Sequence, residues 1–108
     1  MGNEFGATLV EVRVAARKRI LFLPHAIRQM ARPERMILTA DIRAVISGGR
    51  IIEDYPEDAR GHSCLMLGSD EEKRPIHLVC AAKDEYLAII TAYLPDPEEW
   101  SADFSKRL

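Results

Sequence analysis

The stretch from Arg74 to Pro95 constrains the fold most, because it has the pattern of two strands in one β-hairpin. Two apolar runs that contain β-branched residues, 76–82 and 86–94, flank the charged segment 83–85. This spacing is typical of antiparallel strands joined by a short loop. We therefore expect the rest of the chain to pack on this hairpin or to lead into it.

The polar residues of the hairpin depend on its register. If the loop has an odd number of residues, His77 lies opposite Thr91 and diagonal to Tyr93, because cross-strand neighbours share a face. That face is then apolar near the turn and ends in an imidazole, a hydroxyl and a phenol; it carries Pro75, His77, Val79, Leu87, Ile89, Thr91 and Tyr93. An even loop would break this pairing.

The order of the predicted elements indicates an α+β fold. Short helices are expected at about 7–18, from Pro24 to Pro33, and from an N-cap at Thr39 to the glycine pair 48–49. In the second helix, Ile27, Met30 and Ala31 are expected on the buried side. Four strands follow, and 96–104 is expected to form a short terminal helix. Without an interior βαβ unit, this order predicts a four-stranded antiparallel sheet. Residues 1–6 are predicted to be a flexible lead-in and 7–108 a single domain.

Composition and charge narrow the class of protein. The hydrophobic content of 47% and charged content of 30% are ordinary for a globular protein. No apolar run approaches the ~20 residues of a membrane span or forms a signal-peptide core, so we expect a cytoplasmic protein without membrane contact. Cys64 and Cys80 are expected to be reduced, small hydrophobic residues.

The basic residues are concentrated near the N-terminus. The net charge is only −2, which argues against a surface built throughout to attract nucleic acid. Between residues 12 and 33, however, the chain has basic residues and no acidic one. Within this part, His25, Arg28 and Arg32 follow one side of the second helix. This stripe could bind an anion, meet an acidic partner or be a solvated helical face.

Histidines are the natural candidates for acid-base chemistry, since imidazole titrates near neutral pH. His25 and His77 are the candidates, and each has a structural alternative in which its ring is hydrogen-bonded or simply exposed. His62-x-Cys64 and His77-x-x-Cys80 also invite a test for zinc. His77 and Cys80 point to opposite faces of a regular strand, so neither a metal nor a cofactor is predicted.

Four segments carry a resemblance to a known family. They are 25–30 (His-Ala-Ile-Arg-Gln-Met), 52–56 (Ile-Glu-Asp-Tyr-Pro), 74–79 (Arg-Pro-Ile-His-Leu-Val) and 90–97 (Ile-Thr-Ala-Tyr-Leu-Pro-Asp-Pro) with Trp100. Together they resemble a bacterial family known only as a domain of unknown function. That family is distantly similar to RelE-like and barnase-like toxins, including toxins encoded beside zinc-finger antitoxins. Many relatives carry arginine immediately before the methionine, where this chain has Gln29, and Arg28 lies one place earlier.

The resemblance implies a toxin-like domain that cleaves or binds RNA, within a toxin-antitoxin type of system. Metal-independent cleavage needs a base, a cation for the phosphorane and an acid. The candidate catalytic residues are His77, His25, Tyr93 and Thr91, and the candidate phosphate ligands are Arg28, Arg32 and Arg74. The implied partners are RNA and an antitoxin-like protein.

The alternative is a non-catalytic protein-interaction module that forms a homodimer or a heterodimer. The two hypotheses differ in what they require of His77. An interaction module leaves this residue buried and hydrogen-bonded, whereas the enzyme needs it in an open cleft with arginines nearby.

Overall fold

The computed structural model describes residues 4–108 and has an α+β architecture, as predicted. In chain order the elements are α1 (Gly6–Lys18), β1 (Ile20–Phe22), α2 (Pro24–Met30), α3 (Thr39–Gly48), β2 (Arg50–Tyr55), β3 (Ser63–Ser69), β4 (Pro75–Ala82) and β5 (Leu87–Tyr93). The strands form one sheet in the order β1-β5-β4-β3-β2. The predicted four-stranded sheet is therefore wrong by one strand.

The additional strand is β1, which pairs in parallel with β5 through Ile20 opposite Leu87 and Phe22 opposite Ile89. The other pairings are antiparallel. Three residues are too few to show a strand period, so the sequence predicts only an extended approach to Pro24. β1 thus adds a parallel edge strand to a sheet that is otherwise antiparallel.

The register of the β4–β5 hairpin differs from the predicted one. His77 lies directly opposite Tyr93, and Thr91 lies opposite Val79. The loop has an even number of residues, because four residues lie between the paired Ala82 and Leu87. A β-bulge further along β5 nevertheless brings Thr91 and Tyr93 onto the face of His77. The bulge inserts one residue into β5, so the residues on its two sides exchange faces. Leu87 and Ile89 consequently lie in the helix-side core, and not on the face of His77.

The hydrophobic core lies between the sheet and the three helices. It is formed by the apolar faces of α1 and α3 with alternate strand residues, among them Val12, Ile42, Val45, Met66, Ile76, Leu78 and Ile89. Cys64 and Cys80 face each other there as free, buried thiols, with their sulfurs 3.9 Å apart. Within residues 4–108, every helix falls short of the length and apolar character that a membrane crossing requires.

The helix ends differ from prediction in three places. α1 begins at Gly6, so the last residue of the predicted lead-in is helical, and residues 1–3 lie outside the described part. α2 ends at Met30, before Pro33. The cap of α3 is Leu38 and not Thr39, because the Leu38 backbone N–H donates to the Asp41 carboxylate at 2.8 Å. The carboxylate at the third position of the helix thus accepts the N–H of the cap residue, which is the half of a capping box that needs no polar side chain at the cap.

The C-terminal segment, 94–108, forms turns in place of the predicted terminal helix. Asp96 accepts the Glu98 N–H, as an N-cap would, and one turn follows. The chain then reverses, with Phe104 at a φ of 64° and an isolated bridge between Trp100 and Arg107. This path folds the segment back onto the sheet, and docking of its aromatic residues outweighs helix formation.

Candidate functional site

The side of the sheet away from the helices, called here the outer face, carries three of the seven candidate residues that the sequence analysis named. His77 and Tyr93 lie there side by side, and the neighbouring row includes Glu53 and Thr91. The C-terminal segment covers part of this face. Its Trp100 ring stands edge-on to the imidazole of His77, with 4.4 Å between the ring centroids.

His77 is completely buried, with 0% of its surface exposed. Its Nε2 lies 2.9 Å from the carbonyl oxygen of Phe104, which can only accept, so Nε2 carries a hydrogen. Its Nδ1 lies 3.2 Å from the Tyr93 hydroxyl. Burial lowers the pKa of His77 from its ordinary value, which favours the neutral ring. In that form Nδ1 accepts the Tyr93 O–H, and the imidazole connects β5 to the C-terminal segment.

Beside the buried imidazole lies a second polar cluster, formed by Glu53, Tyr55 and Arg107. The guanidinium donates twice to the carboxylate, from Nε at 2.8 Å and from Nη2 at 2.9 Å, and the Tyr55 hydroxyl donates to the same carboxylate. The guanidinium also stacks over Trp100, 4.7 Å from the ring centroid. Unlike His77, the Arg107 side chain is 62% exposed.

The cluster changes the proton affinity of its members. The bond to Arg107 lowers the pKa of Glu53, which keeps this carboxyl ionised. Burial, followed by the hydrogen bond to Glu53, raises the pKa of Tyr55 to about 12. Burial also raises the pKa of Tyr93. At neutral pH the Glu53–Arg107 ion pair is therefore intact, and the phenols of Tyr55 and Tyr93 are protonated.

The predicted site residues separate into three places. His77, Thr91 and Tyr93 lie on the outer face, whereas His25, Arg28 and Arg32 are exposed on α2 or just after it, on the helix side. α2 packs there through Ala26 and Met30, which belong to the core.

Arg74 lies directly before β4 and has a structural role. Its Nε lies 2.7 Å from Asp70, and its terminal nitrogens donate to the carbonyls of Arg35 and Met36. The open cleft that the enzyme hypothesis requires is therefore not formed by the predicted residues. Their catalytic roles stay predictions.

The sequence analysis did not predict that Arg107 contacts Glu53 and Trp100. Glu53 and Arg107 are 54 positions apart, and no local pattern connects them. The only available signal was Trp100, a large aromatic residue within the segment that we predicted to be the terminal helix. Within the described part of the chain, no group of three or more His, Cys, Asp or Glu side chains could hold a metal ion.

A second candidate surface is an apolar groove on the helix side, with a volume of about 760 Å³. It lies between α2, the following loop and the start of α3; its lining is Phe22, Ile27, Met30, Ala31, Met36, Ile37, Leu38, Thr39 and Ala40. Ile27, Met36 and Leu38 are 53%, 59% and 60% exposed. The prediction that Ile27 and Ala31 are buried is thus wrong, because nothing in the described part covers this side of α2.

The wall of the groove is firmly held although it is exposed. Met36 has a φ of 50°, a left-handed conformation that is uncommon for a residue with a side chain. Its N–H donates to the Arg32 carbonyl at 2.9 Å, and the next N–H, that of Ile37, donates to Met30. Arg74 binds the loop from the other side. Such strain persists only where the surroundings fix it, and it concentrates at functional sites.

Comparison with known proteins assigns the chain to a family. Residues 22–94 match the model described as "Domain of unknown function (DUF4258)", which is more than half of the chain. The chain belongs to this family. No curated protein and no solved structure matches it.

The extent of the DUF4258 match separates the two candidate surfaces. Every residue that lines the groove falls within 22–94. On the outer face, Glu53, His77 and Tyr93 fall within the match, whereas Trp100 and Arg107 lie beyond it. The groove is therefore built entirely from the DUF4258 region, and the cover of the outer face is not.

Proposed function

We propose that this DUF4258 chain is a protein-interaction module that binds an apolar segment of another polypeptide in the groove. The observation that carries the proposal is the exposure of Ile27, Met36 and Leu38 around one preformed concavity. Contiguous exposed apolar surface around a concavity marks an interaction site. The burial of His77 supports the same proposal, because an interaction module leaves this imidazole buried and hydrogen-bonded, whereas the enzyme needs it in an open cleft.

The shape of the groove favours a partner that presents its apolar side chains along one line. Its floor includes Met30 and Ile37, which are buried, and its rims are the exposed apolar residues. Amphipathic segments enter such grooves through apolar residues at i, i+3 or i+4, and i+7. Met30 and Met36 give the lining adaptable side chains. The wall is held by backbone and arginine hydrogen bonds, so little ordering is needed on binding.

Selection from a displayed random-peptide library against the immobilised protein tests the proposal. We expect enrichment of peptides with helically spaced apolar residues, and we expect Leu38→Asp to abolish their binding. Val10→Asp is the matched control, since Val10 is 62% exposed and lies outside the groove. Peptides that bind both variants equally, or no enrichment above an unrelated protein, would contradict the proposal.

A second candidate function, metal-independent RNA cleavage or binding, is favoured by the Glu53–Arg107 pair. The ionised carboxylate could take the 2′-OH proton as the 2′-oxygen bonds to phosphorus, and the exposed guanidinium could stabilise the phosphorane. Solvent water would protonate the 5′-oxygen as its bond to phosphorus breaks. In this candidate function the chain is the toxin-like protein that the family resemblance implies, and the groove holds its antitoxin-like partner.

Incubation of the protein with RNA in excess chelator tests the second candidate. Cleavage that is lost in Glu53→Gln and Arg107→Ala, and kept in Arg50→Ala, would support it. Arg50 is a suitable control because it is also exposed and pairs with Asp103 at 3.7 Å. Absence of both cleavage and salt-dependent binding in the wild type would exclude it.

A further inference from the structure

Charged residues of opposite sign flank the groove on its two sides. On one side, Arg28 and Arg32 are exposed next to the groove residues Ile27 and Ala31, and we call this pair the basic edge. On the other side, Met36 and Leu38 form a ridge, because they line both the groove and a neighbouring concavity.

That concavity is acidic. Its lining includes Asp41, Asp70, Glu71 and Glu72 with Arg74. Two of these carboxylates are already engaged, since Asp70 pairs with Arg74 and Asp41 accepts the Leu38 N–H. Glu71 and Glu72 are exposed, and we call them the acidic edge. The order across the surface is therefore basic edge, groove, apolar ridge and acidic edge.

We infer that the partner in the groove is a second copy of this chain, related by a two-fold axis. The inference rests on the proposed function and names its partner. A two-fold interface uses the same patch on both copies, and when the axis runs between the groove and the ridge, each edge meets the opposite edge of the other copy. A patch that is basic on one side and acidic on the other complements itself under this operation. The ridge of each copy then enters the groove of its partner.

The charges at the edges are available for such contacts. Arg28 and Glu71 are exposed, and the Arg32 side chain is 50% exposed with Glu34 at 3.7 Å. An exposed pair of this kind contributes little, so Arg32 can turn to a carboxylate of the other copy. A specific dimer buries roughly 800 Å² on each partner, which is a modest part of the 6541 Å² surface of the chain. The groove, its ridge and its two edges are the surface that we assign to the interface.

Sedimentation velocity of the full chain over a range of concentrations tests the inference. We expect a monomer–dimer equilibrium that Leu38→Asp abolishes and Val10→Asp leaves unchanged. A wild type that is monomeric at every concentration would overturn the inference. If that monomer still selects groove-dependent peptides, the proposed interaction module stands although the dimer does not. Failure of the dimer inference and failure of the proposed function can therefore be told apart.

Charge reversal tests the two-fold arrangement itself. Arg28→Glu with Arg32→Glu places acid against acid at both edges, and Glu71→Lys with Glu72→Lys places base against base. Each double variant should raise the dimer dissociation constant by about tenfold or more. A mixture of the two should form a heterodimer, because every edge contact is again between opposite charges.

The chain that carries all four reversals should recover the homodimer. This recovery shows that loss of dimer in the double variants is not due to misfolding, and circular dichroism provides an independent check. Double variants that dimerise as well as the wild type, or a mixture that stays monomeric, would overturn the two-fold arrangement.

Discussion

The outer face and the apolar groove use their side chains in opposite ways. On the outer face, groups with the chemistry of a catalyst are sealed or paired: His77 is fully buried, and Glu53 is bonded to Arg107. At the groove, residues with the character of a core, Met36 and Leu38, remain exposed. The comparison teaches that residue type alone does not locate function here. Exposure of apolar side chains distinguishes the two regions, and our proposed function rests on that difference.

The largest expected difference between the two regions concerns stability. His77→Ala removes a buried ring and leaves the Phe104 carbonyl without its donor, so we expect the free energy of unfolding to fall by about 3 kcal/mol or more. His25→Ala, on the exposed side of α2, should change it by less than about 0.5 kcal/mol. Urea denaturation followed by circular dichroism measures both. Equal stability of the two variants would show that the outer face is not structural.

A second expected difference is the dependence of stability on pH. The folded state lowers the pKa of His77 below its usual value of 6.5, so the unfolded chain binds the proton more tightly. The free energy of unfolding should therefore be highest above pH 6.5 and fall as the pH decreases towards the folded pKa, by up to about 1.4 kcal/mol per pH unit.

The reference for this measurement is His77→Leu, which keeps most of the volume and cannot titrate. The difference between wild type and this variant, measured from pH 7.5 to pH 5, isolates the imidazole from the other titrating groups. A difference that is constant with pH would mean that His77 is as easily protonated in the folded chain as in the unfolded one.

The smallest expected effect is at the groove. Leu38→Asp should not lower the free energy of unfolding by more than about 0.5 kcal/mol, because the side chain is mostly solvated already and aspartate is a favoured residue at the cap position of α3. Thermal denaturation at a concentration where the protein is monomeric measures this. A large loss of stability would mean that Leu38 supports the fold, and the contrast between the two regions would disappear.

The sequence predicted the parts of the fold that local patterns control. The helix near 7–18 follows from its helix-forming residues and basic last turn, the strand near 76–82 follows from its apolar run, and the α+β class follows from the order of the elements. The strand β1 was missed because three residues carry no period. The hairpin register was missed because a bulge in β5 has no glycine or proline to indicate it.

The candidate surfaces were harder to predict because they depend on contacts between distant residues. Arg107 reaches Glu53 only after the C-terminal segment reverses at Phe104, and composition gave no sign of that reversal. Ile27 has helical spacing with Met30, so it was assigned to the core. Its exposure depends on where the neighbouring elements end, which a helical period does not specify.

The parallel pairing of β1 with β5 affects when the groove can form during synthesis of the chain. Phe22, at its base, lies on a strand whose hydrogen-bonding partner is β5, which follows the other described strands in the sequence. During synthesis, β1 can therefore pair only after Leu87 to Ile89 have been added. The dimer that we infer would accordingly form between protomers that have already folded.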